Sequence, residues 1–279
     1  MTTLTRSPDF TPDFDGDPAA GLSDHVGLAE TFSQTMTMAW RATLKMRRNF
    51  EQFFDVTIQP LLFTAMFAYI FGGAVSGGVS AYLPILIPGL IAQTVLTACI
   101  ATGVQLREDM DKGVFDRFRV LPIARIAPLA GPMVADMLRY AIAATLTFAT
   151  GIAMGYRPGG GFFGVFCAII LAIITGWSLA WVFTWFGTVG KSAQVVQGYS
   201  LMVMFPLTFL SNAFVPSSTL PGWLEAFVKV NPVSLVISAV RDLMNDGAVT
   251  ANVGWALLGC AIVVAIFAPL AVRNFSRKI

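Results

Sequence analysis

Residues 56–106 read VTIQPLLFTAMFAYIFGGAVSGGVSAYLPILIPGLIAQTVLTACIATGVQL, 51 residues without one Asp, Glu, Lys or Arg. A single helix crossing the hydrocarbon of a bilayer needs about 20 apolar residues. The run therefore holds two crossings, and Gly72-Gly73-Ala74-Val75-Ser76-Gly77-Gly78 is where the chain turns between them. No period-two alternation of a barrel strand is present, so the crossings are helices.

The same pattern continues outward from this stretch. Charge-free runs follow at Tyr140–Tyr156, Pro158–Gly190, Ser192–Leu224 and Gly247–Val272. They predict an all-α integral membrane protein with six transmembrane helices, near 54–72, 82–104, 133–156, 163–187, 195–214 and 252–272. Composition agrees. Charged residues are 12% of the chain, about half the share in a soluble domain, and mean hydropathy is +0.70. Of the 18 Lys and Arg, 15 fall on one side of these spans; Arg157, Lys229 and Arg241 alone fall on the other. Basic residues mark the inner side, which predicts a multi-pass plasma-membrane protein with both termini cytoplasmic.

Before the first span the chain divides in two. Residues 1–28 are rich in Asp, Pro, Gly, Ser and Thr, with no basic, apolar leader, and read as a disordered cytoplasmic tail without a cleavable signal. Residues 29–50 place Phe32, Met36, Trp40 and Leu44 every fourth residue, with Arg41, Lys45 and Arg48 on the other face. That pattern predicts an amphipathic helix along the inner membrane surface. Residues 51–279 form the six-helix domain.

Metal and thiol chemistry find little support. His25 is the one histidine and lies in the tail, and Cys99, Cys167 and Cys260 sit in apolar runs without a CxxC spacing. No metal site and no catalytic residue is expected. A net charge of +2 gives no reason to expect nucleic acid.

Two segments and one pair of stripes carry mechanism. The cytoplasmic loop 107–125 is dense in charge of both signs, with Val114, Phe115, Phe118 and Leu121 interleaved. Val114, Phe118 and Leu121 fit one face of a short helix that Pro122 stops, and Asp111, Asp116, Arg117 and Arg119 flank it. An apolar ridge with charged flanks suits docking into a groove of a soluble partner. On the outer side, Pro216, Pro221 and Pro232 cut segment 215–246 into short pieces, with Trp223 and Phe227 placed for the outer interface. Within the spans, Phe63, Phe67 and Phe71 recur every fourth residue, and Tyr199, Met202 and Phe205 share a face. Such surfaces suit a bulky amphiphilic substrate. Gln93 at mid-span needs a partner or a wet cavity.

Lys112-Gly113-Val114-Phe115-Asp116-Arg117-Phe118-Arg119-Val120-Leu121-Pro122 resembles the loop between the second and third spans of type-2 ABC transporter permeases. The likeness is closest to the daunorubicin-resistance type of actinobacterial drug-export permease. Phe214-Val215-Pro216, Leu220-Pro221-Gly222-Trp223-Leu224, Asn231-Pro232 and Arg241 resemble the same family's segment before its last span. The likeness covers about residues 30–275. It implies the transmembrane domain of a type-2 ABC exporter, of the ABCG/Wzm-like kind, paired with a second permease chain, identical or homologous, and with two copies of an ABC ATPase subunit. It further implies that loop 107–125 couples to that ATPase, and that 215–246 is re-entrant and contributes Trp223, Phe227, Asn231 and Pro232 to an extracellular gate.

The sequence agrees that the motor lies elsewhere. A phosphate-binding loop needs G-x-x-x-x-G-K-[ST] after a strand. The nearest stretch, Gly190-Lys191-Ser192, has Trp185 where the first glycine belongs. The chain is therefore expected to hold no cofactor, with ATP and Mg on the partner. Export of an antibiotic-like amphiphile is the leading expectation, and export of a lipid or lipid-linked cell-envelope glycan is the alternative. A membrane enzyme or ion-driven transporter would usually show ionisable groups inside the membrane. Here Asp136 is the one acid near a span interior, and it sits beside Arg139.

Overall fold

The computed structural model describes residues 28–48, 50–115, 127–215 and 221–278. Among them it is helical: α1 (Leu28–Arg48), α2 (Phe50–Ser76), α3 (Val79–Ala98), α4 (Ile100–Asp111), α5 (Ala127–Ala153), α6 (Gly161–Val189), α7 (Ala193–Phe209), α8 (Gly222–Val230), α9 (Pro232–Asn245) and α10 (Ala251–Lys278). The tail through residue 27 lies outside the described residues.

Helix breaks fall where backbone chemistry requires them. Gly77 adopts φ +73°, a left-handed conformation that suits glycine, and Gly78 N–H caps the Gly72 carbonyl at 3.0 Å. The turn thus occupies only the last two residues of the predicted Gly-Ser stretch. Between α3 and α4 the helix falters at Cys99, and Thr102 N–H bonds Cys99 O, three residues back, rather than Ala98 O.

The centre of the bundle is α6, which packs against α10, α4, α9 and α5. Lipid supplies no hydrophobic drive between helices, so close contact relies on small residues and interhelical hydrogen bonds. Both occur. A methyl group added at Gly103 of α4 would meet Phe183 O of α6 at 2.1 Å, and one at Gly187 would meet Gly103 O at 2.5 Å. Ser178 on α6 donates to the Cys260 carbonyl of α10 at 2.9 Å. Cys99 and Cys260 are buried thiols.

Four segments are long and apolar enough to cross a membrane: Thr57–Ser76, Val79–Asp111, Gly161–Val189 and Ala251–Arg277. The α8–α9 pair, bent by 79°, makes a fifth if counted as one. The six expected spans are thus not all matched on length and apolarity. Two helices stand at expected positions but fall outside this set: α5 carries Asp136 and Arg139 one turn apart, and α7 has 17 residues, short of the roughly 20 that span hydrocarbon.

The predicted helix through the loop after α4 is corrected at Val114 alone, since residues 116–126 lie outside the described residues. The α-helix ends at Asp111, because Gly113 turns the chain with φ +63°. Residues 112–115 form a turn, so Val114 is not on a helix within the described residues.

Candidate functional site

A cavity of about 540 Å³ opens between α2, α3, α4, α5 and α7. One wall is aromatic. Phe67 of α2 stacks on Phe63, Phe71 and Phe214 at centroid distances of 6.0, 5.4 and 4.5 Å. Phe214 leads on to Phe209 at 5.9 Å, and Phe209 to Phe205 of α7 at 4.3 Å. The Phe63–Phe67–Phe71 stripe follows from one-turn spacing on α2, and the rings of α7 meet it because Phe214 lies just beyond that helix.

Of the residues predicted to line a substrate cavity, Phe63, Phe67, Gln93 and Phe205 border this one. Phe71 stacks behind Phe67 but is not on the wall. Tyr199 and Met202 are off it, 55% and 77% exposed on the outer side of α7. The wall of α7 is Gln197, Leu201, Met204, Phe205, Thr208 and Phe209. They share a broad face of the helix turned away from Tyr199 and Met202, with Phe205 common to both. Because α7 is apolar nearly all round, periodicity could not choose between the faces.

A buried polar cluster, unpredicted as part of the site, borders the cavity at Arg139. Arg139 and Asp136 of α5 form an ion pair at 3.2 Å. Thr102 Oγ1 donates to Asp136 Oδ2 at 2.5 Å and lies 3.1 Å from the Tyr140 hydroxyl. Arg139 Nη2 donates to Ala98 O at 2.7 Å. That carbonyl is the one the interruption at Cys99 leaves without its helical donor. A second cavity, of about 60 Å³, lies beneath the cluster, between Gln105, Asp109, Phe115 and the same Asp136 and Arg139.

At the other end, polar side chains tie α9 to α3 and α7. Pro88 has no N–H, so the Pro84 carbonyl lacks its helical donor; Asn245 Nδ2 supplies one at 2.9 Å. The Tyr156 hydroxyl donates to Asn245 Oδ1 at 2.6 Å. Arg241 reaches Asn212 O at 2.8 Å and Ile85 O at 3.2 Å. The bend between α8 and α9 falls on Asn231, whose side chain caps α9 through Val233 N–H at 2.9 Å. Its amide donates to Leu207 O in the last turn of α7 and to Leu210 O just beyond it, at 2.7 and 3.0 Å. Of the predicted gate residues, Asn231 is thus a buried tie. Pro232 opens α9 at its first position, and Trp223 and Phe227 are exposed on α8.

Phe32, Met36, Trp40 and Leu44 form one exposed face of α1, while Ala39 is buried and Met38 and Ala39 lie against Gly131 of α5. Of the predicted coupling residues, Asp111 pairs with Arg107 on α4, and Val114 is half-buried. Phe115 is 6% exposed and packs edge-on against Phe275 of α10 at 4.9 Å. Asp116, Arg117, Phe118, Arg119 and Leu121 lie outside the described residues.

Gly190-Lys191-Ser192 joins α6 to α7, where Ser192 caps α7. No cluster among the described residues could hold a metal ion.

The ABC-2 type transporter family matches residues 33–245. The chain is 39% identical to a daunorubicin resistance ABC transporter permease protein of Streptomyces coeruleorubidus, over 100% of this chain and 99% of that one. It is 24% identical to a probable doxorubicin resistance ABC transporter permease protein of Mycobacterium tuberculosis, over 86% of this chain and 87% of that one. A putative transport permease of Pyropia yezoensis is 26% identical over 74% of this chain and 69% of its own length.

Proposed function

The chain belongs to the ABC-2 type transporter family, and from that premise we propose that it exports an amphiphilic, antibiotic-like compound using ATP hydrolysed by a separate subunit. The observation that carries this reading is the aromatic-walled cavity of about 540 Å³, of a size that encloses drug-like ligands. Full-length similarity to a daunorubicin resistance permease agrees with it.

The finer parts rest on the same premise. The helices α5 and α7 serve as the third and fifth of six crossings, their polar groups turned toward the bundle rather than lipid. Both termini face the cytoplasm, as the basic residues favour. Two copies of an ABC ATPase, carrying ATP and Mg, dock below a pair of permease chains. The segment from Asp111 to Leu121 meets the ATPase, with Phe118 and Leu121 as apolar contacts and Asp116, Arg117 and Arg119 at the rim. The exposed stripe of α1 lies in the inner interface, and α8 and α9 close the outer exit.

The test is accumulation of fluorescent doxorubicin in a drug-sensitive host. Expression with the cognate ABC ATPase, identified by co-purification, lowers accumulation; replacing the phosphate-loop lysine of that ATPase restores it. The purified chain alone hydrolyses no ATP above a detergent blank. Unchanged accumulation with both proteins in the membrane, or hydrolysis by this chain alone, overturns the proposal.

A further inference from the structure

The wall of the 540 Å³ cavity changes character along its length, and three sides change in the same sense. On α2 the wall begins at Gln59 and passes, a turn at a time, to Phe63 and Phe67. On α7 it begins at Gln197 and passes through Leu201 to Phe205 and Phe209. Phe67 and Phe209 both pack on Phe214, at 4.5 and 5.9 Å, so the rings of the two helices gather at one end. Gln59 lies about 12 Å of helix rise before Phe67, and Gln197 about 18 Å before Phe209. The third side runs the other way. Near the start of α3 the Tyr82 hydroxyl donates to Phe214 O at 2.7 Å, which puts that part of the helix at the phenylalanine end. From there the wall passes from Leu90 to Thr97 and, on α4, to Gln105. Three sides thus bring Gln59, Gln105 and Gln197 toward the end opposite the phenylalanines.

The glutamine end is polar without being charged. Gln59 and Gln197 are exposed and Gln105 is half-buried, and among the described residues none of the three side chains hydrogen-bonds to the protein. Each amide offers two donors and an acceptor, so it can serve a hydroxyl, a carbonyl or an amide alike. Among the described residues no Asp, Glu, Lys or His borders the cavity. Arg139 is the one ionisable side chain on the wall, and it is paired with Asp136 at 3.2 Å. It also borders the second cavity together with Gln105, which puts it toward the glutamine end. An ammonium group brought to this end meets a guanidinium and no free carboxylate. It would shed its water without gaining a counter-charge, which is costly.

We propose that this gradient selects and orients the ligand: an aromatic amphiphile with an uncharged polar end, held with that end among Gln59, Gln105 and Gln197 and its rings among Phe63, Phe67 and Phe205. This rests on the reading of the cavity as the substrate site and adds to it which molecules fit and which way round they lie. Hydroxyl, carbonyl and amide groups suit the polar end. A compound with a basic amine enters as its free base. A purely apolar polycycle fills the phenylalanine end but gives the glutamines nothing in exchange for their water.

The test uses the full chain in lipid nanodiscs, with empty nanodiscs subtracted, and three fluorescent probes that share one ring system: pyrenebutanol, pyrenebutylamine and butylpyrene. Wild type binds pyrenebutanol tightest at pH 7. Pyrenebutylamine is protonated there, as alkylamines of pKa about 10 are, and binds at least tenfold more weakly; its affinity rises toward pH 9 while that of the alcohol does not. The double variant Gln59→Leu/Gln197→Leu changes two exposed side chains. It lowers affinity for pyrenebutanol by about three- to tenfold, the usual effect of one hydrogen bond, and leaves butylpyrene unchanged. Phe205→Ala, at an exposed ring, weakens all three probes. Pyrenebutylamine binding as tightly as the alcohol at pH 7 overturns the selection of an uncharged end. Equal losses for all three probes with the glutamine variant, or none, overturn the orientation, as does unchanged binding in Phe205→Ala; each variant is compared as monodisperse protein. If no probe binds wild type, the cavity reading fails first and this inference with it.

Discussion

At the scale of single residues, Phe115 and Phe118 belong to one sequence motif but are expected to play different parts. Phe115 is packed inside, against Phe275 of α10. Phe118 lies three residues on in the motif, outside the described residues. Phe115→Ala is therefore expected to destabilise the permease itself, by about 3–5 kcal/mol, as loss of a buried ring does. Phe118→Ala is expected to weaken ATPase association by about 1–3 kcal/mol, the loss typical of an interface contact of this kind, with permease stability unchanged. Thermal stability in detergent and co-purification with the ATPase separate the two effects. If both substitutions lower stability equally, or if Phe118→Ala leaves association intact, the loop is not the coupling element. Sequence could not show that Phe115 is buried, because the ring it packs against, Phe275, lies 160 residues away. Arg139 was likewise visible only as an inner-end charge. Its one signal is Asp136-x-x-Arg139, opposite charges one turn apart next to a charge-free run, and nothing in that spacing says which cavity the pair borders.

At the scale of elements, the bent pair α8–α9 depends on few contacts. Asn231 supplies the cap of α9 and both donors to the end of α7. Asn231→Ala would leave two carbonyls and one N–H unpaired, a cost of about 1–3 kcal/mol. The expected outcome is faster amide hydrogen exchange through α8 and α9, with α6 and α10 unchanged. Protection that stays the same in the variant would show that packing of α9 on α6, not Asn231, holds the pair. The breaks of these elements were legible from Gly77-Gly78, Pro221 and Pro232, because a left-handed turn or a missing N–H is written in residue type. The turn at Gly113 was not read. Val114, Phe118 and Leu121 fit a helical face, but Val114 stands in the turn 112–115, and Phe118 and Leu121 lie outside the described residues. The outward shift of Tyr199 and Met202 has a similar origin: an element apolar on every side carries no direction in its own sequence.

At the scale of the whole molecule, the class was legible and the count was not. Charge-free length identifies a membrane protein, whereas α5 and α7 fall short of a simple span by their ion pair and their length. Topology is the prediction that belongs here. A cysteine at Gly77 is expected to react with an impermeant maleimide added to intact cells, and a reporter fused after Ile279 is expected to be active in the cytoplasm. Labelling at position 77 only after permeabilisation would reverse the orientation. The contact between Asn245 and Pro84 carries a further consequence, for descent. Pro88 creates the vacancy that Asn245 fills, so each residue is the reason to keep the other. A lineage that replaces Pro88 regains the helical hydrogen bond and leaves Asn245 held only by its bond with Tyr156, while one that loses Asn245 first inherits an unmet carbonyl. The two positions are therefore expected to change together among relatives, with the proline going first.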